Sequence, residues 1–142
     1  YNMAVNASTE YALRALIEIY SSDDGLISSQ QLCRQQKLPK KFIEQLLGSL
    51  RAAALVQSTP GVKGGYSLAR PAEEITFLDV MMAVEDKSLD PACVEDKGEF
   101  CLGEDCRLTY FLEELSAKQR KLFDSYTLKK IATTRKPRRR AE

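Results

Sequence analysis

The sequence predicts a mainly α-helical fold with one small β-hairpin, and three observations predict it. Four segments repeat their apolar residues at helical spacing, a proline- and glycine-rich turn sits between two short strand-like runs, and a long apolar stripe follows near the C-terminus. With 142 residues, 44% of them apolar, the chain can bury one core of ordinary size.

The first helix starts near Thr9, carries Tyr11, Leu13, Leu16, Ile17 and Tyr20 at helical spacing, and stops at Asp23-Asp24-Gly25. Ser28 and Gln31 then form a capping-box pattern for a short second helix that includes Leu32, Cys33 and Gln36. Proline disfavours helical geometry in the residue before it, so Pro39 forces a turn at Lys37-Leu38 and suits the first position of a third helix. That helix buries Phe42, Ile43, Leu46, Leu47 and Leu50 and presents Lys40, Lys41, Glu44, Gln45, Gly48 and Ser49 on its other face. Leu55–Ser58 reads as a strand, residues 60–65 as a hairpin loop and Tyr66–Leu68 as the return strand. A short helix, a turn, a longer helix with a polar face and then a hairpin make a winged helix-turn-helix. Thr76 caps a further helix running through Phe77, Val80, Met81 and Val84.

Periodicity stops after Asp86 and resumes at Cys106, where a long helix carries Leu108, Phe111, Leu112, Leu115, Leu122 and Phe123 on one side. A single small domain has little surface left to cover that stripe, so the same helix of a second subunit is the expected partner. The resulting organisation is a winged helix-turn-helix domain over residues 4–84 and a cysteine-bearing loop over 85–106. A dimerisation helix and C-terminal segment follow over 107–132, and a disordered basic tail over 133–142.

Charge is unevenly placed although its net value is +1. Residues 1–70 carry 8 basic and 5 acidic side chains, residues 71–106 carry 2 and 11, and residues 107–142 carry 11 and 4. Histidine is absent, which removes Ser-His and Cys-His nucleophilic dyads, HExxH zinc hydrolases and Cys2His2 fingers; the protein is read as no enzyme. No apolar run is long enough for a membrane span and the N-terminal residues lack the order of a signal peptide, so a cytoplasmic protein is expected. In a reducing compartment, Cys93, Cys101 and Cys106 within fourteen residues read as ligands or redox thiols rather than a disulfide frame. Three thiolates can hold an iron-sulfur cluster or a zinc ion, and the ligand types alone do not separate these. Cys33 reads as a small core residue.

The chain resembles the winged-helix regulators of the IscR and NsrR type, dimeric transcription factors that commonly carry an iron-sulfur cluster. Tyr11-Ala12-Leu13-Arg14, Phe42-Ile43-Glu44-Gln45-Leu46-Leu47, Leu50-Arg51, Leu55-Val56, Gly64-Gly65-Tyr66-Ser67-Leu68 and three cysteines before the long helix carry the resemblance. It implies a homodimeric repressor that binds a palindromic double-stranded operator, with Cys93, Cys101 and Cys106 holding a 2Fe-2S or 4Fe-4S cluster. The signal would be nitric oxide, iron, oxygen or cluster status. In IscR-like members a histidine three residues after the last cysteine is the fourth ligand, and Thr109 stands there in this chain. In NsrR-like members an acidic residue of the first helix, from the other subunit, takes that role, and Glu10 stands there. The cysteines here are separated by seven and four residues rather than by five each, and Thr59-Pro60-Gly61 replaces an Arg-Gly pair at the wing.

The DNA-contacting set expected from these features is Lys40, Lys41, Glu44, Gln45 and Ser49 on the third helix, Ser28 at the head of the second, and Lys63 and Gly64 in the wing. The glycines beside Lys63 would let the backbone approach a phosphate. Three other readings compete: a zinc or thiol-switch regulator, a module that binds a metabolic enzyme through the winged helix and acidic loop, and an electron carrier of ferredoxin type.

Overall fold

The computed structural model describes residues 5–90, 99 and 101–135. Helix α1 (Ala7–Ser21) is capped by Asn6, whose side chain accepts from the Thr9 N–H at 3.0 Å. Its deep face is Thr9, Ala12, Leu13, Ala15, Leu16 and Ile19. Tyr11, Ile17 and Tyr20 sit at the rim of the core, half-buried. The hydropathic stripe of the sequence is thus rotated from the true packing face, because small alanines let neighbouring helices come closest.

Helix α2 (Ser29–Gln36) begins with the capping box foreseen: the Gln31 N–H bonds Ser28 Oγ at 3.1 Å and the Ser28 N–H bonds Gln31 Oε1 at 2.9 Å. Lys37 ends it in the left-handed region, φ 53°. Arg14 of α1 closes the turn, its Nε reaching Gln36 Oε1 and its Nη2 the Gln36 carbonyl, both at 2.8 Å. Helix α3 (Lys40–Ala52) starts one residue later than the sequence suggests, because Pro39 is extended (ψ 140°) and acts as the cap rather than the first helical residue. Ile43, Leu46, Leu47 and Leu50 are buried, and Phe42 meets Tyr11 edge to face at 5.4 Å.

Strands β1 (Val56–Thr59) and β2 (Gly65–Leu68) pair antiparallel with Val56 opposite Leu68 and Thr59 opposite Gly65; β1 is displaced by one residue from the sequence expectation and β2 starts one residue earlier. Ile27 adds a bridge to the hairpin edge, with Ile27 N–H to Tyr66 O at 3.1 Å and Tyr66 N–H to Ile27 O at 2.7 Å. A 3-10 turn (Ala72–Glu74) leads into α4 (Phe77–Ala83), which Thr76 and Asp79 cap reciprocally. Val84 is the cap residue and lies just outside the helix.

Helix α5 (Thr109–Asp124) has no buried residue: Tyr110 is 79% and Phe111 58% exposed, while Leu108, Leu115 and Leu122 are exposed beside them. Leu112 and Phe123 of the expected stripe are half-buried, Phe123 against Phe77 at 5.0 Å. The chain then does something the sequence did not announce. It turns at Ser125-Tyr126-Thr127 and returns as α6 (Leu128–Thr133) onto the winged domain. Thr127 bridges to Thr76, the Leu128 N–H bonds Ile75 O at 2.7 Å, and Leu128 is 1% exposed within the main core. Residues 136–142, most of the expected basic tail, lie outside the described residues.

Leu128→Ala is expected to cost about 2–5 kcal/mol, since it removes a fully buried leucine that the rigid α1 face cannot collapse upon. Thermal unfolding checks it. A melting temperature unchanged within a degree would mean that α6 contributes nothing to the core.

Candidate nucleic-acid interface and cysteine site

The outer face of α3 carries Lys40, Lys41, Glu44 and Gln45 exposed, with Ser49 half-buried. Lys40 and Glu44 form an exposed pair at 3.8 Å, one helical turn apart. Such a pair contributes roughly 0.3–0.5 kcal/mol, too little to withhold either side chain from a stronger partner. Gln45, Gly48, Ser49 and Ala52 line an open groove whose other wall is Ser8 of α1 and Val84 after α4.

A second cleft opens between the head of α2 and the tip of the wing. Ser28, Lys63 and Gly64, three of the residues expected to touch DNA, meet there, together with Asp24, Leu26, Gln31, Arg34 and Val62. Arg34 was missed by sequence reasoning. Its signal was faint: it follows Gln31 by three residues on the polar side of α2, and only the Ile27–Tyr66 bridge brings that side to the wing. Arg51, at the end of α3, reaches Ser58 Oγ at 3.4 Å and braces strand β1. Val62 is fully exposed at the wing tip.

The two wing glycines have an internal reason. A Cβ on Gly64 would lie 2.0 Å from the Thr59 carbonyl oxygen, and one on Gly65 2.5 Å from the Ile27 carbonyl oxygen. The close approach that glycine permits is therefore backbone on backbone within the hairpin and across to α2. Cations from α2 and the wing around one cleft, beside a polar helix face, suit the phosphates and base edges of a duplex.

The cysteine site is described at two of its three expected residues. Cys101 is exposed, and its Sγ accepts the Gly103 N–H at 3.4 Å in a 3-10 turn (Gly103–Asp105). Cys106 is half-buried just before α5. The Thr109 hydroxyl first, then the Leu108 N–H, hold its thiol below the ordinary value, outweighing slight desolvation. Hydrogen bonds to sulfur favour the thiolate, the form that ligates metal and reacts with oxidants. Thr109, which stands where a histidine ligand occurs in IscR-like sequences, is half-buried at the start of α5, its N–H bonding the Cys106 carbonyl at 3.4 Å.

Cys93 lies outside the described residues. Among the described residues no group of three or more His, Cys, Asp or Glu side chains is gathered closely enough to hold a metal ion. Glu10 is exposed in the first turn of α1, and Cys33 is half-buried, packed against the core rather than within it. No helix among the described residues is long and apolar enough to cross a membrane.

Residues 5–134 match the sequence model of the Rrf2 family, described as iron-dependent transcriptional regulators. A protein of Mycobacterium tuberculosis described as an HTH-type transcriptional regulator is 33% identical over 134 residues, 92% of this chain and 81% of that one. The transcriptional regulator IscR of Cereibacter sphaeroides is 37% identical over 87 residues, 59% of this chain and 56% of that one. Among solved structures, the oxidised form of CymR from Staphylococcus aureus superposes with a TM-score of 0.72 at 29% identity, covering 95% of this chain and all of that one.

Proposed function

The chain belongs to the Rrf2 family of DNA-binding transcriptional regulators, and from that premise we propose a homodimeric, cytoplasmic repressor whose operator affinity is set by an iron-sulfur cluster. Cys93, Cys101, Cys106 and the partner subunit's Glu10 hold the cluster, 2Fe-2S or 4Fe-4S, and the operator is a palindromic DNA duplex. One observation carries the reading. The turn leading into α5 directs the Gly103 N–H onto the Cys101 sulfur and places Cys106 just before the helix whose apolar residues are exposed. A second α5 covers Phe111, Leu115 and Leu122 and makes the assembly two-fold, matching a palindrome.

When bound, the cluster supplies sensitivity to nitric oxide, oxygen or iron supply, while the protein's residues orient the ligands and read DNA. Anaerobic purification with visible absorbance and iron and sulfide assay tests this. A colourless protein containing zinc, or no metal, overturns the cluster reading. A zinc or thiol-switch regulator is the second reading, since the same cysteines would serve either chemistry.

Lys40, Lys41 and Gln45 on α3 enter the major groove, with Glu44 and Ser49 beside them, while Ser28, Lys63 and Gly64 meet the phosphates or minor groove at the cleft. Lys63→Ala is expected to weaken binding to all sequences alike and to lower the salt slope by about 1. Gln45→Ala is expected to cost about 1–3 kcal/mol at its own base pair and little elsewhere. Titrations of operator and scrambled duplex at several salt concentrations separate the two; identical effects of both substitutions on both duplexes reject this division of roles.

A further inference from the structure

Residues 86–90 open the cysteine-bearing loop and are fastened at both ends. At the first end, Asp86 Oδ2 accepts from the Asn6 N–H at 2.8 Å and from the Thr9 hydroxyl at 2.6 Å. Its other oxygen accepts from the Ser88 N–H at 2.9 Å and from the Ser88 hydroxyl. Partial burial alone would raise the Asp86 carboxyl, but the bonds from Ser88, Thr9 and Asn6 outweigh it and hold the pKa below its ordinary value. The carboxylate is therefore charged near neutral pH, and charge-assisted bonds are the stronger kind. Asn6 and Thr9 are the same two residues that cap α1, so Asp86 is built into the first turn of that helix.

At the second end, Leu89 is buried, its carbonyl accepts from Ser116 Oγ at 3.5 Å, and Asp90 pairs with Arg120 at 3.3 Å. Ser116 and Arg120 belong to α5. Five residues thus tie the start of α1 to the middle of α5, and α1 in turn packs on α3 through the Tyr11–Phe42 contact.

We infer that Asp86–Asp90 is a strap that carries displacement of the cysteine loop to the first turn of α1 and so to the DNA-reading helix, with Asp86 and Arg120 as its positioning residues. This rests on the reading of the loop as sensor. A loop joined to the head by free chain could rearrange without consequence for α3. A strap bonded to both helices cannot shift without moving one of them, and packed helices respond by changing arrangement rather than by deforming gradually.

The test is a double-mutant cycle on the full chain. Operator affinity is measured anaerobically for the parent and for Cys101→Ser/Cys106→Ser, each with and without Asp86→Asn. The cysteine change is expected to shift affinity about fivefold or more with Asp86 present, the lower range of ordinary coupling between sites. With Asp86→Asn the shift is expected to shrink to within about twofold.

An equal shift in both backgrounds overturns the strap and leaves the sensor reading standing, whereas no shift in either background overturns both. Thr9→Val and Arg120→Gln keep the question answerable if Asp86→Asn fails to fold. Amide exchange provides a further readout: Arg120→Gln is expected to speed exchange in the first turn of α1, although the described partner of Arg120 is Asp90. Unchanged exchange there overturns the inference.

Discussion

Gly65→Ala is expected to remove high-affinity operator binding while leaving helical content near that of the parent. The added Cβ would lie 2.5 Å from the Ile27 carbonyl oxygen, 2.7 Å from its carbon and 3.0 Å from the Ser28 nitrogen. All three are backbone atoms, so no side chain can swing aside. Relief requires β2 to separate from residue 27. That breaks the two Ile27–Tyr66 hydrogen bonds, of about 0.5–1.5 kcal/mol each, a loss comparable to the roughly 1–3 kcal/mol of retained overlap. Either cost is smaller than the roughly 5–15 kcal/mol that holds a domain together. The wing therefore lets go while the helices stay.

Once the wing moves, Lys63 and Gly64 leave the cleft they share with Ser28 and Arg34, and operator affinity is expected to fall at least about tenfold, 1.4 kcal/mol. Fluorescence anisotropy with an operator duplex and far-ultraviolet circular dichroism check both halves. Parent-like affinity in a folded variant would show that the wing's attachment to α2 is not needed for binding.

The same residues show how far the sequence could be read. Local signals were legible: the Ser28–Gln31 capping box, the turn before Pro39 and the hairpin at Pro60–Gly65 each depend on residues a few places apart. What depended on distant chain was not. The glycine pair marks a hairpin in any reading, but the need for Gly65 arises from Ile27, whose bridge to Tyr66 leaves no trace in local spacing. Helix α6 is six residues long, too short for a periodic pattern, and its place in the core is set by pairing with residues 75–77. In α1, Ala12 and Ala15 are fully buried although each offers only a single methyl group to a hydrophobic stripe.

The candidate site follows the same rule. Residue types and order announced a basic, polar reading helix and a cysteine loop, because those are properties of single elements. Arg34 joins the cleft between α2 and the wing only through tertiary pairing. Asp86 was seen as the last residue before periodicity fails, and its bonds to Asn6 and Thr9 cross most of the winged domain's sequence. Thr109 stood out in the sequence only as the lack of a histidine, whereas its N–H ties the start of α5 to the Cys106 carbonyl.

Single alanine substitutions at Cys93, Cys101 and Cys106 are expected to bleach the anaerobically purified protein, each with loss of most iron and sulfide, whereas Glu10→Ala is expected to keep its colour. Thiolate is the standard ligand for iron-sulfur clusters, and each cysteine removed takes away an anionic sulfur that offsets iron charge. The Cys101 sulfur also accepts a hydrogen bond from the Gly103 N–H, so a replacement there loses the ligand and the support built around it. A carboxylate oxygen contributed from the partner subunit is a weaker donor to iron than thiolate, and water or a small thiol can take its place. Glu10 lies in the same first turn of α1 that Asp86 fastens. Its loss is therefore expected to shift operator affinity or the response to nitric oxide while three cysteines retain the metal. Full iron and sulfide in all three cysteine variants would reject the ligand set. A Glu10→Ala protein matching the parent in spectrum, reactivity and operator binding would leave Glu10 as a carboxylate that only favours the positive end of α1, and the fourth position would then belong to solvent or to an acidic residue of the loop.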